Sequence, residues 1–351
     1  MIDNYRKKEV IIYKSSKPFS LDCGEVLPEL EIAYCTYGTM NALGTNVIWV
    51  FHALTGNADA LDWWDGLIGD GLLFDPSKYF IVCANVLGSC YGSTCPSTIN
   101  PITQKAYHKD FPLVTIRDMV KAHQLLKDYL DIPKIYLGIG GSMGGQQLLE
   151  WAVMEPDVFE VIVPMATNAR MSAWGIAFNE SQRMALEADS TLYDVHPEAG
   201  SKGLEAARAI AMISYRHYQT YEQSQQEESD PIDNFKASSY QRYQGLKLRK
   251  RFEPLSYLSL SKAMDSQNVG RERGGIKKAL LSIKARTLVI GISSDVLFPV
   301  EEQQFLAKYI NGAQLEVIES IYGHDGFLIE YGQLTYILSQ FLLNSPVKIS
   351  S

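Results

Sequence analysis

Lys134 to Ala152 reads KIYLGIGGSMGGQQLLEWA: a short apolar run, glycines crowded about one serine, then a run of helix formers. The apolar run is too short for a typical helix and reads as a buried strand, and QQLLEWA continues at helical spacing. Between them Gly140-Gly141-Ser142-Met143-Gly144 is a G-x-S-x-G pattern in a strand-turn-helix context. Glycine stands two positions either side because such a turn strains the serine backbone, and a Cβ there would meet the neighbouring strand and helix. The Ser142 hydroxyl then projects from the sheet edge as a nucleophile. A glycine-rich turn can also cradle a phosphate, but a dinucleotide fingerprint opening at Gly138 requires glycine or alanine where Met143 stands.

Similar apolar runs recur from Asn46 (NVIWVFHAL), at Tyr79 to Ala84, Val161 to Met165, Arg286 to Ile290 and Ala313 to Ile318. With Lys134 to Gly138 they make six candidate strands. Helical patterns lie between several of them, such as Thr115 to Leu130 and Gly145 to Met154, and this alternation implies a mostly parallel sheet flanked by helices, an α/β fold. The alternation lapses for roughly 120 residues after Met165, where helical periodicity continues without a convincing buried strand. The chain therefore divides into a first core part (1–169), a helical insertion (170–280) and a second core part (281–351). Within the insertion, Gln223 to Asp233 (QSQQEESDPID) is polar and contains proline, as an exposed connection between helices does. Gly326 to Leu343 has the spacing of a final amphipathic helix.

At 351 residues, with 46% apolar and 21% charged residues, the chain is an ordinary folded protein. Its 40 acidic and 32 basic residues leave a net charge of −8, which offers phosphate backbones and anionic membranes no long-range attraction, so neither nucleic acid nor a membrane is an expected partner. The start, MIDNYRKKEVIIYKSS, lacks an apolar stretch of signal-peptide length, and a cytoplasmic location is expected. Five cysteines (Cys23, Cys35, Cys83, Cys90 and Cys95) include no C-x-x-C pair, which argues against a disulfide framework or a structural metal site. Cys90 or Cys95 would be reactive only if a neighbour depressed its pKa, and the sequence names none.

A serine hydroxyl needs a base to take its proton and a carboxylate to orient that base. Of six histidines, His324 stands in the turn-like YGHDGF after the last candidate strand, and Asp295 follows the strand RTLVI in GISSDVLFP. That order, Ser then acid then His, is the order of the α/β-hydrolase fold. His108, His123, His196 and His217 lie in a loop or in helical patterns, where surface or capping roles are expected. His52 closes the strand VIWVF and reads as a structural histidine shaping the loop Ala53-Leu54-Thr55-Gly56, from which such folds supply an oxyanion-hole amide. The two donor amides are then those of Leu54 and Met143.

HALTGNADA, GSCYGST, PSTINP, DFPLVTIRDMVKAH, GGSMGGQQ, SYQRYQG, GISSDVLFP and GHDGF together resemble homoserine O-acetyltransferases. The resemblance extends into the insertion, where AFNESQRMA and LEAARAIAMISYRHY are similar to that family's helical lid. It implies an acyl transfer from acetyl-CoA, a co-substrate, to the side-chain hydroxyl of L-homoserine in methionine biosynthesis, by a homodimer with no tightly bound cofactor. It also implies that Arg208 and Tyr215 grip the acceptor carboxylate and that Asp325 faces its ammonium group. A spacing of seven sets Arg208 and Tyr215 on one helix face. Lys247, Arg249, Lys250 and Arg251 form a basic run that either faces solvent or meets coenzyme A phosphates. The chain departs from the family where Tyr91 replaces a frequently basic residue and Cys95 a glycine. A succinyl donor, a serine acceptor and plain ester hydrolysis on the same triad stay open, because fold and triad alone do not separate them.

Overall fold

Apolar runs rich in β-branched residues bury both faces only inside a sheet covered on each side, and the central runs here do so. The computed structural model describes residues 10–343; the first nine residues of the opening segment and the last eight of the chain lie outside them. Eight strands form the main sheet: β1 (Ile11–Ser15), β2 (Leu30–Tyr37), β3 (Val47–Phe51), β4 (Phe80–Ala84), β5 (Ile135–Gly141), β6 (Phe159–Met165), β7 (Arg286–Ile292) and β8 (Gln314–Ile318). Their order is β1-β2-β4-β3-β5-β6-β7-β8. All pairs are parallel except β1 with β2 and β2 with β4. The six strands read from apolar runs are present, and β1 and β2 are additions. Both belong to the antiparallel margin, and in LEIAYCTY the polar Glu31 and Thr36 cut the apolar run down to the four residues IAYC.

The strand order reverses about β3, with β4 on one side and β5 on the other, which opens a crevice at the carboxyl ends. Helix α1 (Ile116–Tyr129) starts at a capping box of Thr115 and Asp118. Helix α2 (Met143–Met154) leaves β5 through Ser142, and every residue from Met143 to Val153 is buried. Trp151 of this helix meets Trp49 edge-on, with ring centroids 5.1 Å apart. His123, expected at a surface or cap, is instead fully buried on α1, where its Nδ1 accepts from Trp49 Nε1 at 3.2 Å. Burial pushes its pKa down to about 3, so it packs as a neutral ring.

Between β6 and β7 come helices α3 (Ala173–Glu187), α4 (Ser201–Tyr215), α5 (Tyr218–Gln225), α6 (Lys236–Arg249), α7 (Pro254–Asp265) and the short α8 (Ile276–Leu281). The two ends of the α3 to α7 segment are tied by an antiparallel bridge, Arg170 with Asn268, flanked by the bonds Met171 N to Gln267 O and Val269 N to Ala169 O. Residues 226–235, between α5 and α6, are mostly exposed. A Cβ on Gly203 or Gly245 would stand 2.6 Å from a backbone oxygen of the facing helix segment, so α4 packs closely on both sides. Helices α9 (Val300–Tyr309) and α10 (Tyr331–Leu343) complete the cover. The final helix is shorter than its apolar spacing suggested, because Gly323–Leu328 forms a separate 3-10 turn.

Glu150 on α2 is 2% exposed and neutralised by two arginines. Arg117 Nε of α1 lies 2.8 Å away, and Arg273 reaches both carboxylate oxygens at 2.6 and 2.9 Å. The group joins α1, α2 and the chain returning from the insertion. We expect Glu150→Ala to lower stability by roughly 3 kcal/mol, the low end for breaking such a pair because both arginines keep some solvent. Urea unfolding of the variant measures this, and an unchanged midpoint would refute it.

Candidate functional site

The turn at Ser142 has the geometry its sequence demands. Ser142 has φ 57° and ψ −126°, a conformation L residues rarely adopt. It persists because its surroundings fix it: its N–H donates to Met165 O at 3.0 Å, and its carbonyl accepts from Thr167 Oγ1 at 2.8 Å. A Cβ on Gly144 would stand 2.2 Å from Phe51 O, and one on Gly140 2.8 Å from Phe51 Cβ. Both glycines of the motif are therefore required by the close approach of β3.

Asp295 and His324 extend from the ends of β7 and β8 and meet at 2.7 Å, Oδ2 to Nδ1. The other carboxylate oxygen accepts from the amides of Leu297 and Phe298 at 2.8 and 2.9 Å, which leaves one oxygen aimed at the imidazole. Phe298 stacks on the His324 ring at 5.1 Å and Phe327 meets its edge at 5.6 Å. Burial alone would push the His324 pKa down. The Asp295 charge and hydrogen bond, with Asp325 adding, outweigh it and leave the pKa above the ordinary value.

His52 behaves as a structural residue. Its Nδ1 lies 2.8 Å from Ala53 O, and its Nε2 accepts from Val86 N at 3.0 Å, an arrangement that fits the neutral Nδ1–H tautomer. Burial holds its pKa at about 4. The turn Ala53–Gly56 is closed by Gly56 N donating to Ala53 O at 2.9 Å. Met143 opens α2, so its N–H is among the donors that a helix leaves without an internal partner.

These parts surround one cavity of about 440 Å³. Ser142, His324, Leu54, Arg208, Tyr215 and Asp325 all line it, with Lys247 and Arg251 also on its wall. Arg208 lies over the Tyr215 ring, its Cζ 5.2 Å from the centroid, on the helix face that the spacing of seven sets. Burial pushes the Tyr215 hydroxyl pKa up, so it remains a donor. Asp325 is not alone: Arg216 Nη2 lies 3.3 Å from its Oδ2. A serine hydroxyl, a carboxylate-paired histidine, the cations Arg208, Lys247 and Arg251 and the anions Asp62 and Asp325 thus share one chamber, an arrangement that suits acyl transfer to a small zwitterion.

A family model described as alpha/beta hydrolase fold matches residues 46–331. A homoserine O-acetyltransferase of Cyclobacterium marinum is 53% identical over 334 residues, 95% of each chain. Another, of Chlorobaculum parvum, is 46% identical over 94% of this chain and 93% of its own. The chain belongs to the homoserine O-acetyltransferase family. Its backbone is also similar to the crystal structure of an acetylester hydrolase from Corynebacterium glutamicum, with a TM-score of 0.86 at 26% identity, covering 96% of both chains.

Relative to the resemblance to homoserine O-acetyltransferases, sequence reasoning missed Arg216, although it directly follows Tyr215. It also left the basic run undivided. Arg249 pairs with Glu198 and with Glu205, the latter at 2.6 Å, whereas Lys247 and Arg251 reach the cavity. Near the loop, burial pushes the Cys90 thiol up to about 12, the opposite of activation.

A base must be neutral to take a proton, so turnover should rise as pH climbs through the raised His324 pKa, placing the acid limb above pH 6.5. Asp325→Asn removes a charge that favours the imidazolium and should move that limb to lower pH. A pH profile of thiol release from acetyl-CoA tests both, and a limb unmoved in the variant would refute the coupling.

Proposed function

We propose that the chain transfers the acetyl group of acetyl-CoA to the side-chain hydroxyl of L-homoserine through an acyl-enzyme on Ser142. The observation that carries this reading is the single cavity in which Ser142 and His324 stand with Arg208, Tyr215 and Asp325. Asp295 occupies Nδ1 of His324, so Nε2 is the nitrogen that works as base. It takes the Ser142 proton as Oγ attacks the thioester carbonyl. The negative oxygen of the tetrahedral adduct lies on the Leu54 and Met143 amides. Collapse breaks the carbon–sulfur bond, and the proton on Nε2 goes to the departing coenzyme A thiolate.

In the second half the homoserine hydroxyl attacks the acyl carbonyl and gives its proton to Nε2, which returns it to Ser142 as the new ester leaves. Arg208 with Tyr215 takes the acceptor carboxylate, and Asp325 takes the ammonium. The helices between Ser172 and Asp265 act as the lid that keeps water from the acyl-enzyme. The product is then an intermediate of methionine biosynthesis. A homodimer and a cytoplasmic location belong to the same reading, and sedimentation of the purified chain tests the dimer.

Hydrolysis is the second reading, favoured by the backbone similarity to an acetylester hydrolase. Free thiol is to be measured from acetyl-CoA and succinyl-CoA, each with homoserine, serine or no acceptor, with products weighed by mass spectrometry. Homoserine-dependent release from acetyl-CoA with O-acetylhomoserine formed is the expected result; acceptor-independent release would make the chain a hydrolase. Ser142→Ala should reduce turnover on the order of 10⁴-fold or more. Arg208→Ala should lower kcat/KM for homoserine roughly 10- to 100-fold while sparing the first burst of thiol release. Equal loss of both half-reactions would remove Arg208 from the acceptor site.

A further inference from the structure

The Leu54 amide is useful only if its direction is fixed, and that direction is set by the peptide plane it shares with the Ala53 carbonyl. Ala53 O is held by Gly56 N at 2.9 Å and lies 2.8 Å from His52 Nδ1. The far end of the same turn is held from another part of the chain. Arg251, 196 residues away in sequence, donates from Nη1 to Thr55 O at 2.7 Å and from Nη2 to Thr55 Oγ1 at 3.4 Å. The same Nη1 donates to the Tyr91 hydroxyl at 2.7 Å, so the guanidinium bridges two loops of the core.

The Arg251 backbone is well anchored for this task. Its N–H and that of Phe252 both return to Leu248 O, at 2.9 and 3.0 Å, just past the end of α6. Phe252 is buried, with its ring edge-on to both Tyr91 and Tyr257. A planar fork on a fixed base that grips a backbone carbonyl restrains the turn more than a lysine on a mobile stem would.

We infer that Arg251 is a positioning residue for the oxyanion hole: it reaches from the helical insertion to the core and pins the turn that carries the Leu54 amide. This rests on the reading of Leu54 as an oxyanion donor. Arg251 also lines the cavity, so the competing role is direct contact with the phosphates of acetyl-CoA. The two roles differ in what a small uncharged ester experiences. An oxyanion hole serves every acyl donor, whereas a phosphate contact serves only the nucleotide-bearing one.

The test uses the full chain with Arg251→Met, Arg251→Lys and Tyr91→Phe, assayed with acetyl-CoA plus homoserine and with p-nitrophenyl acetate. For Arg251→Met, kcat should fall about tenfold with both donors while KM for acetyl-CoA changes by less than about twofold. Affinity for a trifluoromethyl ketone, whose adduct with Ser142 bears a negative oxygen, should fall by a similar factor. Arg251→Lys, which can still donate to Thr55 O, should recover part of the loss, and Tyr91→Phe should lose about two- to threefold. Thermal midpoints establish that each variant is folded, and Arg251→Lys carries the test if Arg251→Met is not. A raised KM for acetyl-CoA with p-nitrophenyl acetate turnover unchanged would overturn the proposal in favour of phosphate binding, and unchanged kinetics throughout would overturn it outright. Retained turnover in Ser142→Ala would instead sink the acyl-enzyme reading itself.

Discussion

The backbone at Ser142 sits where an L residue is strained, at a cost of about 1–3 kcal/mol, and the rest of the site is arranged around that one residue. The strained turn sets Ser142 on the cavity wall at the sheet edge, with Met143 opening the helix directly after it. It is tolerated because β3 and β6 hold the turn from both sides. Phe51 O lies so close to Gly144 that no side chain fits between them, and Met165 O takes the Ser142 amide. The parallel sheet therefore acts as a vice on the turn. Leu54, Asp295 and His324 come from the loops that follow the carboxyl ends of β3, β7 and β8.

The helices after β6 contribute charges that the sheet does not supply to the cavity, and the proposed function gives these charges the choice of acceptor. Helix α4 carries Arg208 and Tyr215, and Arg216 at its C-terminus pairs with Asp325 beside the base. A core alone presents a nucleophile to any acyl group, and both a transferase and an esterase can be built on it. In the proposed function Arg208 and Asp325, among the charges on the cavity wall, take the two ends of an amino acid and so favour an acceptor other than water.

Much of this was legible in the sequence because its physical demands are local. A glycine either side of Ser142, a carboxylate just after one apolar strand and a histidine just after another are each decided within a few residues. Five of the six strands read from apolar runs, β3 to β7, were equally plain, since burial on both faces makes them nearly continuously apolar, whereas β8 is a mostly exposed edge strand. The antiparallel margin was not plain: β2 pairs antiparallel and its apolar run is only the four residues Ile32 to Cys35, between Glu31 and Thr36, and β1 is mostly exposed. His123 was misread because helical spacing does not say which face meets a tryptophan. Arg216 and the division of the basic run depend on where helices end against distant loops, which no local pattern encodes. The resemblance, rather than spacing, named Arg208, Tyr215 and Asp325.

Gly323, immediately before His324, adopts φ 65° and lies against the end of α4; a Cβ there would stand 2.9 Å from both Tyr215 O and His217 N. That seam is made of backbone on both sides, with no side-chain rotamer available to absorb a shift. Arg208 and Tyr215 on α4 and His324 are consequently joined through one rigid backbone contact. In the proposed function this makes the amino-acid clamp and the base one mechanical unit, so that loosening of the seam on heating is expected to cost selectivity and turnover at the same temperature.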